Sequence, residues 1–413
     1  MPVERIASGG PRPAPAPRAV GLDNVRRNNL SNVLRLVHTH GSISRAQLTR
    51  ELGLNRSTIA ALVTELGERG LVIESAPEAS NQVGRPSLVI APDPSVAVIA
   101  INPELDALTI ALVGLGGRVL NRVRYDHVGV PTAHEVINVA RAIIASMSAP
   151  PVHVLGIGLA VPGLVRASDG MVRVAPHLGW RDEPLAEQLA ATTRVDVVAA
   201  NDATCGAIAE HVFGAGRGAD DMVYLNGGAS GIGGGVIVAG QLLGGAEGYA
   251  GEIGHTLVTS DGRPCHCGGR GCLETEVSRK PLLDALGLTD AQAEQLEDVL
   301  VDRFASGPSP ELAALVDHQA RHLVIALRNV VNIFNTRRIV LGGFLGSLYR
   351  VRPEAFDPIT ARSPIAGGGA GVEVVRAALG ASILMVGAAE IALERVLADP
   401  TLIGSSERRA ANS

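Results

Sequence analysis

Four side chains that commonly bind metals lie close together in the second half of the sequence. They form the arrangement H-x9-C-x-C-x4-C, with His255, Cys265, Cys267 and Cys272. Three thiolates and one imidazole suit tetrahedral zinc and leave no open position, so the predicted role is structural. The alternative is a loop with three free thiols. The fourth cysteine, Cys205, falls in a helical stretch and is predicted to be an ordinary core residue.

Helical periodicity predicts a compact module over residues 21–75. Three amphipathic helices are separated by short glycine turns and followed by a strand that begins at Leu71. Ser44 and Gln47 have the spacing of a capping box at the start of the second helix, and Asn55 can cap the third. This order of elements indicates a winged helix-turn-helix. The alternative is a plain three-helix bundle with solvated polar faces.

In a winged helix-turn-helix, the start of the third helix meets base edges in the major groove. The polar side chains predicted to reach DNA there and at the preceding helix are Ser44, Arg45, Asn55, Arg56, Ser57 and Thr58. Arg56 could pair with a guanine, and the hydroxyls could contact phosphates or bases. Arg85, at the tip of the predicted wing, either enters a narrow minor groove or is solvated.

Charge and composition agree with a small DNA-binding module on a larger acidic body. Residues 18–75 carry eight Arg against five Asp and Glu, whereas the whole chain has a net charge of −5. From Val96 onward, apolar strand-like runs alternate with helical stretches, which predicts an α/β body. The N-terminus shows no apolar run, and Glu104 and Asp106 interrupt the apolar stretch that follows Val96. We therefore expect a cytoplasmic protein without a signal peptide or membrane contact.

The cysteine cluster and its surroundings carry a resemblance to a known family. GEIGH at 251–255 and CHCGGRGCLE at 265–274 resemble the signature of the ROK family of repressors, open reading frames and sugar kinases. Other segments that resemble the family lie at 162–165, 175–180, 201–203, 231–235 and 339–343. The N-terminal module, through its Gly-Arg-Pro at 84–86, resembles the repressor branch.

The resemblance implies an actin-like (ribonuclease H-like), two-lobed sugar-kinase fold behind the winged helix, with a sugar bound between the lobes and assembly into homodimers or homotetramers. The predicted domains are a disordered tail at 1–20, the DNA-binding domain with its wing at 21–91, a first lobe at 92–202, a second lobe with the zinc motif and the C-terminal helix at 203–400, and a tail at 401–413.

The resemblance also implies a sugar site. In the family's kinases the Asp of an Asn-Asp pair is the general base toward a sugar hydroxyl, which corresponds here to Asp202 beside Asn201. Glu252, His255 and Glu274 match residues that contact sugar hydroxyls, and His255 also belongs to the metal set. The predicted sugar-binding residues are therefore Asn201, Asp202, Glu252, His255 and Glu274. Carboxylates and amides suit a neutral polyol because they form several directional hydrogen bonds. The alternatives are a helix cap for the Asn-Asp pair and solvated loop carboxylates for the two glutamates.

The sequence departs from the family's kinases at the phosphate loops. Where the kinases have Asp-Xaa-Gly-Gly-Thr, residues 102–106 read Asn-Pro-Glu-Leu-Asp. Phosphate must approach backbone N–H groups closely, and a Cβ obstructs that approach. The second loop keeps Ser-Gly-Ile-Gly at 230–233 after Ala229, and we interpret its glycines as packing residues. His177 stands where an asparagine is expected, which points to altered hydrogen bonding or a different ligand.

The predicted function is a sugar-responsive DNA-binding transcriptional repressor of carbohydrate metabolism without kinase activity. Its predicted partners are operator DNA with an inverted repeat and a sugar or sugar-phosphate effector, and its predicted cofactor is structural zinc. One alternative is an active sugar kinase with an added DNA-binding module, against which the altered loop at 102–106 counts. A zinc-sensing regulator is disfavoured because the zinc set has no spare position.

Overall fold

The computed structural model describes residues 21–75, 88–360 and 371–404. The helices are α1 Leu22–His40, α2 Arg45–Leu52, α3 Arg56–Glu68, α4 Ala133–Met147, α5 Leu185–Thr193, α6 Asp202–Val212, α7 Leu273–Glu276, α8 Arg279–Leu286, α9 Leu296–Ala305, α10 Pro310–Phe334, α11 Phe344–Val351, α12 Asp357–Thr360 and α13 Ile383–Ala398. The strands are β1 Ile43–Ser44, β2 Val72–Ser75, β3 Val89–Pro92, β4 Val96–Pro103, β5 Ala107–Gly114, β6 Arg118–Asp126, β7 His153–Val161, β8 Leu164–Val165, β9 Val172–Ala175, β10 Trp180–Glu183, β11 Val197–Asn201, β12 Met222–Gly227, β13 Ile232–Val238, β14 Gln241–Leu242, β15 Arg338–Gly343 and β16 Glu373–Arg376.

The N-terminal module is a winged helix-turn-helix, as predicted. Helices α1 to α3 pack beside a three-stranded sheet of order β1-β3-β2. The Ser44 hydroxyl accepts a hydrogen bond from the Gln47 backbone N–H and caps α2. The predicted capping box is only half formed, because the Gln47 side chain donates to Glu51 instead of reaching back. The wing tip at residues 76–87, and with it Arg85, lies outside the described residues.

Two five-stranded sheets with the same topology form the body and confirm the two-lobed α/β expectation. Their orders are β6-β5-β4-β7-β11 and β14-β13-β12-β15-β16. In each sheet three antiparallel strands are followed by two parallel ones. Strands β4 and β5 are buried along their whole length, as continuous runs of apolar residues allow. Strands β8 to β10 form a small separate antiparallel sheet.

Helix α13, which the sequence analysis assigned to the second lobe, contacts elements on both sides of the predicted boundary at residue 202. It packs against β4 and β7 of the first sheet and against α6. A Cβ on Gly158 of β7 would lie 1.8 Å from the backbone oxygen of Ala388, so only glycine permits this close approach. Apolar as α13 is, none of the helices in the described ranges combines the length and apolarity needed to cross a bilayer.

The first residues of the predicted tail at 401–413 contact the winged helix. Arg69 of the winged helix donates hydrogen bonds to the backbone oxygens of Thr401 and Ile403, at 3.2 and 2.6 Å. These contacts fix residues 401–404 against the DNA-binding module. Residues 405–413 and the predicted tail at 1–20 lie outside the described residues.

Helix α1 joins the winged helix to the body through a shared hydrophobic core with α13. At its centre lies His38, which is 1% exposed. Its Nε2 lies 3.0 and 3.1 Å from the two carboxylate oxygens of Glu390, and its Nδ1 accepts a hydrogen bond from the Gly116 backbone N–H at 3.0 Å. Because Nδ1 accepts, Nε2 carries the proton and donates to Glu390.

Replacing Glu390 with Ala should destabilise the folded protein. The change leaves the buried Nε2–H of His38 without an acceptor, which costs about 1–3 kcal/mol. Denaturant titration should show that loss in the free energy of unfolding. Glu394→Ala is the matched control, because Glu394 lies one turn further along α13 and pairs with Arg35 at the surface. Its effect should stay below about 0.5 kcal/mol, and equal losses in both variants would contradict the buried pair's role.

Candidate functional site

The candidate site begins where β11 of the first sheet ends and α6 begins. The Asn201 side-chain oxygen caps α6 by accepting from the Ala203 and Thr204 backbone N–H groups, at 2.8 and 3.2 Å. The Asn201 amide nitrogen donates to the Gly163 backbone oxygen at 2.9 Å. The side chain therefore holds the loop at 162–165 against α6, and at most one of its N–H donors is left for a ligand.

Asp202 is the first residue of α6 and has an unusual electrostatic environment. Withdrawal from water raises its pKa from 3.8 to about 6, and the nearby Glu252 carboxylate adds to the rise. Burial also raises the pKa of Glu252. Two carboxyls whose charged forms are disfavoured are suited to accept, donate and share protons with hydroxyl groups.

The structure brings Glu252, His255 and Glu274, the other residues predicted to contact a sugar, together near Asp202. His255 Nε2 lies 3.9 Å from a Glu252 oxygen, and His255 Nδ1 lies 3.4 Å from Glu274 Oε1. Sequence reasoning missed His266, whose Nδ1 lies 3.2 Å from the same Glu274 oxygen. Its ring also packs edge-on against that of His255, with 5.1 Å between centroids. Its position between two metal-binding cysteines was the signal that could have identified it.

The unexpected His177 lies at the edge of this cluster. It sits on a short 3-10 helix, Pro176–Leu178, that follows β9. Its ring centroid is 6.2 Å from that of His266, in an edge-on arrangement. A third imidazole near the site, where an amide was expected, changes the hydrogen bonds available to a ligand.

The four predicted metal ligands converge in space. Their ligand atoms, from His255, Cys265, Cys267 and Cys272, all lie within 4.8 Å of one another. Cys267 Sγ and Cys272 Sγ are 3.7 Å apart, and Cys265 Sγ and His255 Nδ1 are 3.5 Å apart. Tetrahedral zinc with its usual bond lengths sets about 3.8 Å between sulfurs and about 3.5 Å between sulfur and nitrogen. The donor set and its spacing therefore fit a closed tetrahedral metal site.

The loop at 228–231 between β12 and β13 closes the site from the second sheet. Gly231 has a φ of +137°, and a Cβ there would lie 2.5 Å from Glu274 Oε2. Glycine is therefore required for Glu274 to approach the loop. This contact agrees with the interpretation of the second loop's glycines as packing residues.

In the equivalent turn of the first sheet, between β4 and β5, the side chains pair with neighbouring strands. Asn102 is buried and donates to the Ala160 backbone oxygen at 2.9 Å, so it is a cross-strand tie. Arg124 of β6 contacts Glu104 at 3.0 Å and Asp106 at 3.1 Å. The two carboxylates that the sequence placed in this turn are therefore held together by an arginine rather than left facing the solvent alone.

The predicted DNA-contacting residues divide into capping, paired and free side chains. Ser44 caps α2, and Asn55 Oδ1 caps α3 by accepting from the Thr58 N–H and the Ser57 hydroxyl, each at 2.8 Å. Arg45 pairs with Glu74 of the wing strand β2. Arg56, at the start of α3, is exposed and makes no hydrogen bond or ion pair with any part of the chain that the structure describes.

Known proteins resemble this chain over most of its length. Residues 98–395 match the model of the ROK family. A xylose repressor of Bacillus subtilis strain 168 is 30% identical over 320 residues, covering 77% of this chain and 82% of the repressor. A solved ROK family transcriptional regulator, homologous to the MLC protein of E. coli, superposes with a TM-score of 0.71 at 25% identity, over 91% of this chain and 98% of its own. A ROK family glucokinase from Streptomyces griseus, in complex with glucose and AMPPNP, gives 0.59 at 26% identity, over 72% and 99%.

A winged helix on a two-lobed body of this topology defines a class of protein, the DNA-binding regulators built on a sugar-kinase fold. Within that class the chain belongs to the ROK family, in its branch of transcriptional regulators. The membership predicted from the signature at 251–274 is thereby confirmed.

Asp202→Asn should stabilise the protein near neutral pH and have little effect near pH 3.8. The unfolded chain loses the Asp202 proton near the ordinary pKa of 3.8, whereas the folded protein keeps it until about 6. Stability from this group is therefore lost as pH rises across that window. Asn keeps the acceptor for the Ala203 N–H and carries no charge. We expect a gain of up to about 3 kcal/mol at neutral pH in denaturant titrations, and a gain that does not change with pH would contradict the shift.

Proposed function

We propose that this protein, a sugar-responsive transcriptional repressor of carbohydrate metabolism, binds its effector at Asp202, Glu252, His255 and Glu274 and does not phosphorylate it. The proposal that the effector is not phosphorylated rests on the turn between β4 and β5, whose acidic side chains pair with Arg124. Phosphoryl transfer depends mostly on holding the triphosphate and stabilising its charge. In this turn Arg124 is committed to Glu104 and Asp106, and no glycine exposes the backbone to a phosphate.

The effector is a sugar or a sugar phosphate. Asp202, Glu252 and Glu274 supply carboxyl oxygens, and His255 Nε2 points away from the metal set toward Glu252. Such a mixture of acceptors and donors suits a polyol. Asp202 accepts a hydrogen bond from a sugar hydroxyl and orients it, as a general base does. No phosphoryl group is then transferred to that hydroxyl.

The metal is proposed to be structural zinc. Burial raises the pKa of the Cys265 thiol, and a bound cation would favour its thiolate form. When bound, zinc would fix the loop at 255–272 and orient His255 through Nδ1. His255 would then present Nε2 to the effector, so the metal shapes the sugar site without taking part in chemistry.

Cys267→Ser should lower metal content and weaken effector binding together. Elemental analysis should show that the purified variant holds one zinc per chain fewer than the native protein. The three ligands that remain no longer form a closed site and hold the ion less tightly. Cys205→Ala is the control, because Cys205 is buried in α6 and belongs to no metal cluster among the described residues. Native protein purified without zinc at this set would contradict the proposal.

Helix α6 is proposed to couple the effector to DNA. It begins at Asp202 and extends for 11 residues, or about 16 Å. Phe213, directly after its end, packs edge-on against His38 of α1 with 5.1 Å between ring centroids. A movement of α6 on effector binding would therefore reach the DNA-binding module through one rigid element. The size of the response is limited by the effector's differential affinity for the two arrangements.

The regulator is proposed to bind an inverted repeat as a homodimer or homotetramer, with α3 of each chain in the major groove.

Arg56→Ala should weaken operator binding by about 1–3 kcal/mol, because Arg56 is the free arginine at the start of α3 and suits a bidentate guanine contact. Footprinting and a binding titration measure the change. Arg303→Ala, an exposed arginine of α9 far along the chain, is the control. Unchanged affinity and sequence preference in Arg56→Ala would remove this residue from base recognition.

Calorimetry across a panel of sugars should show binding of at least one sugar that Asp202→Ala abolishes, and no heat with ATP. Asp196→Ala should leave sugar binding intact, because Asp196 lies at the surface and pairs with Arg395. A coupled ATP-consumption assay is the complementary measurement. Sugar-dependent turnover at about 1–100 per second, the range of ordinary kinases, would overturn the proposal in favour of an active sugar kinase.

A further inference from the structure

A second cluster of metal-binding side chains lies outside the cysteine set. Glu276 belongs to α7, whereas His318 and His322 lie one turn apart on the same face of α10. One ligand atom from each of the three lies within 4.8 Å of the others. His318 Nε2 is 3.7 Å from Glu276 Oε2, and the two imidazole centroids are 4.3 Å apart.

Two of the three side chains are already oriented by the surrounding backbone. Glu276 is 8% exposed, and its Oε1 accepts from the Arg263 backbone N–H at 3.1 Å, which leaves Oε2 directed at His318. His322 Nδ1 lies 2.9 Å from the His318 backbone oxygen. Because a carbonyl oxygen only accepts, His322 Nδ1 carries the proton and its Nε2 keeps a free lone pair. Backbone contacts of this kind are typical of residues that bind metals.

We propose that Glu276, His318 and His322 form a second divalent-metal site that binds Zn²⁺ reversibly. Tetrahedral zinc sets about 3.3 Å between its nitrogen and oxygen ligands. The 3.7 Å separation is a few tenths of an ångström wider, and the half-exposed His318 imidazole can move that far. Two imidazoles and a carboxylate leave a fourth position for water or an outside ligand.

The proposed site differs from the cysteine set in strength and consequence. It has no thiolate, so its metal should be removed by a mild chelator that leaves the closed four-ligand set loaded. Through Glu276 it also touches the loop of the cysteine set, since Arg263 lies between His255 and Cys265. An ion here would tie α10 to that loop and so stabilise the folded state in proportion to its occupancy.

The test is a metal titration of the full chain after dialysis against a mild chelator. Elemental analysis should show one retained metal, and calorimetry should show one further Zn²⁺ that binds reversibly. Titration with Co²⁺ separates the sites, because only the cysteine set gives intense thiolate-to-metal absorption. The second ion should add weak bands without thiolate character.

His322→Ala should lose the reversible ion and keep the retained one, while His134→Ala, at an exposed histidine of α4, should bind both. Glu276→Gln keeps an acceptor for the Arg263 N–H and should weaken the second site at least tenfold, which gives a test should His322→Ala fold poorly. One metal per wild-type chain under saturating Zn²⁺, or the same isotherm for His322→Ala and His134→Ala, would overturn the proposal.

Discussion

The close approach of α13 to its neighbours is the contact on which the arrangement of the whole chain depends. A Cβ on Gly387 would lie 2.0 Å from the backbone oxygen of Cys205 in α6, and one on Gly158 would lie still closer to α13. Glycine at both positions brings the helix against β7 and α6 together. With α13 held there, its outward side presents Glu390 to His38, and the buried hydrogen bond sets where α1 and the winged helix lie.

This packing places α6 where it can transmit movement between the two lobes and the winged helix, a role that its sequence does not indicate. The helix is held between α13 and β13, so it touches elements of both lobes. One end carries Asp202, and the other ends beside the ring of Phe213 against α1. A helix fixed on both sides transmits displacement as a rigid body more readily than a loop would, because packed interiors deform little. The proposed effector site and the winged helix are thus connected through packing as well as through the chain at Val96.

Most of the fold and the metal set could be predicted from sequence because their signals are local. Periodicity identified the winged helix, spacing identified the cysteine cluster, and the signature at 251–274 identified the family. Long-range packing left no such signal. Helix α13 contacts β4 and β7, and Arg124 pairs with Glu104, although these residues are distant in sequence. The contact of His266 with Glu274 depends on the conformation of the loop between them. The duplicated sheet topology was also hidden, since the two lobes repeat strand order rather than residues.

Under the proposed function, the two equivalent hairpin turns account for a sugar site that works without phosphoryl transfer. In each sheet the turn between the first two strands lies at the corresponding position. In one of them Glu104 pairs with Arg124 of β6, and in the other Gly231 lets Glu274 approach. Asp202 begins α6, Glu252 and His255 lie in the segment before the cysteines, and none of the three lies in the first turn. Changes there alter the support for phosphate without moving the groups proposed to hold the sugar. A kinase fold can therefore keep ligand-dependent movement, which a regulator needs, after it has lost the turn that transfer needs.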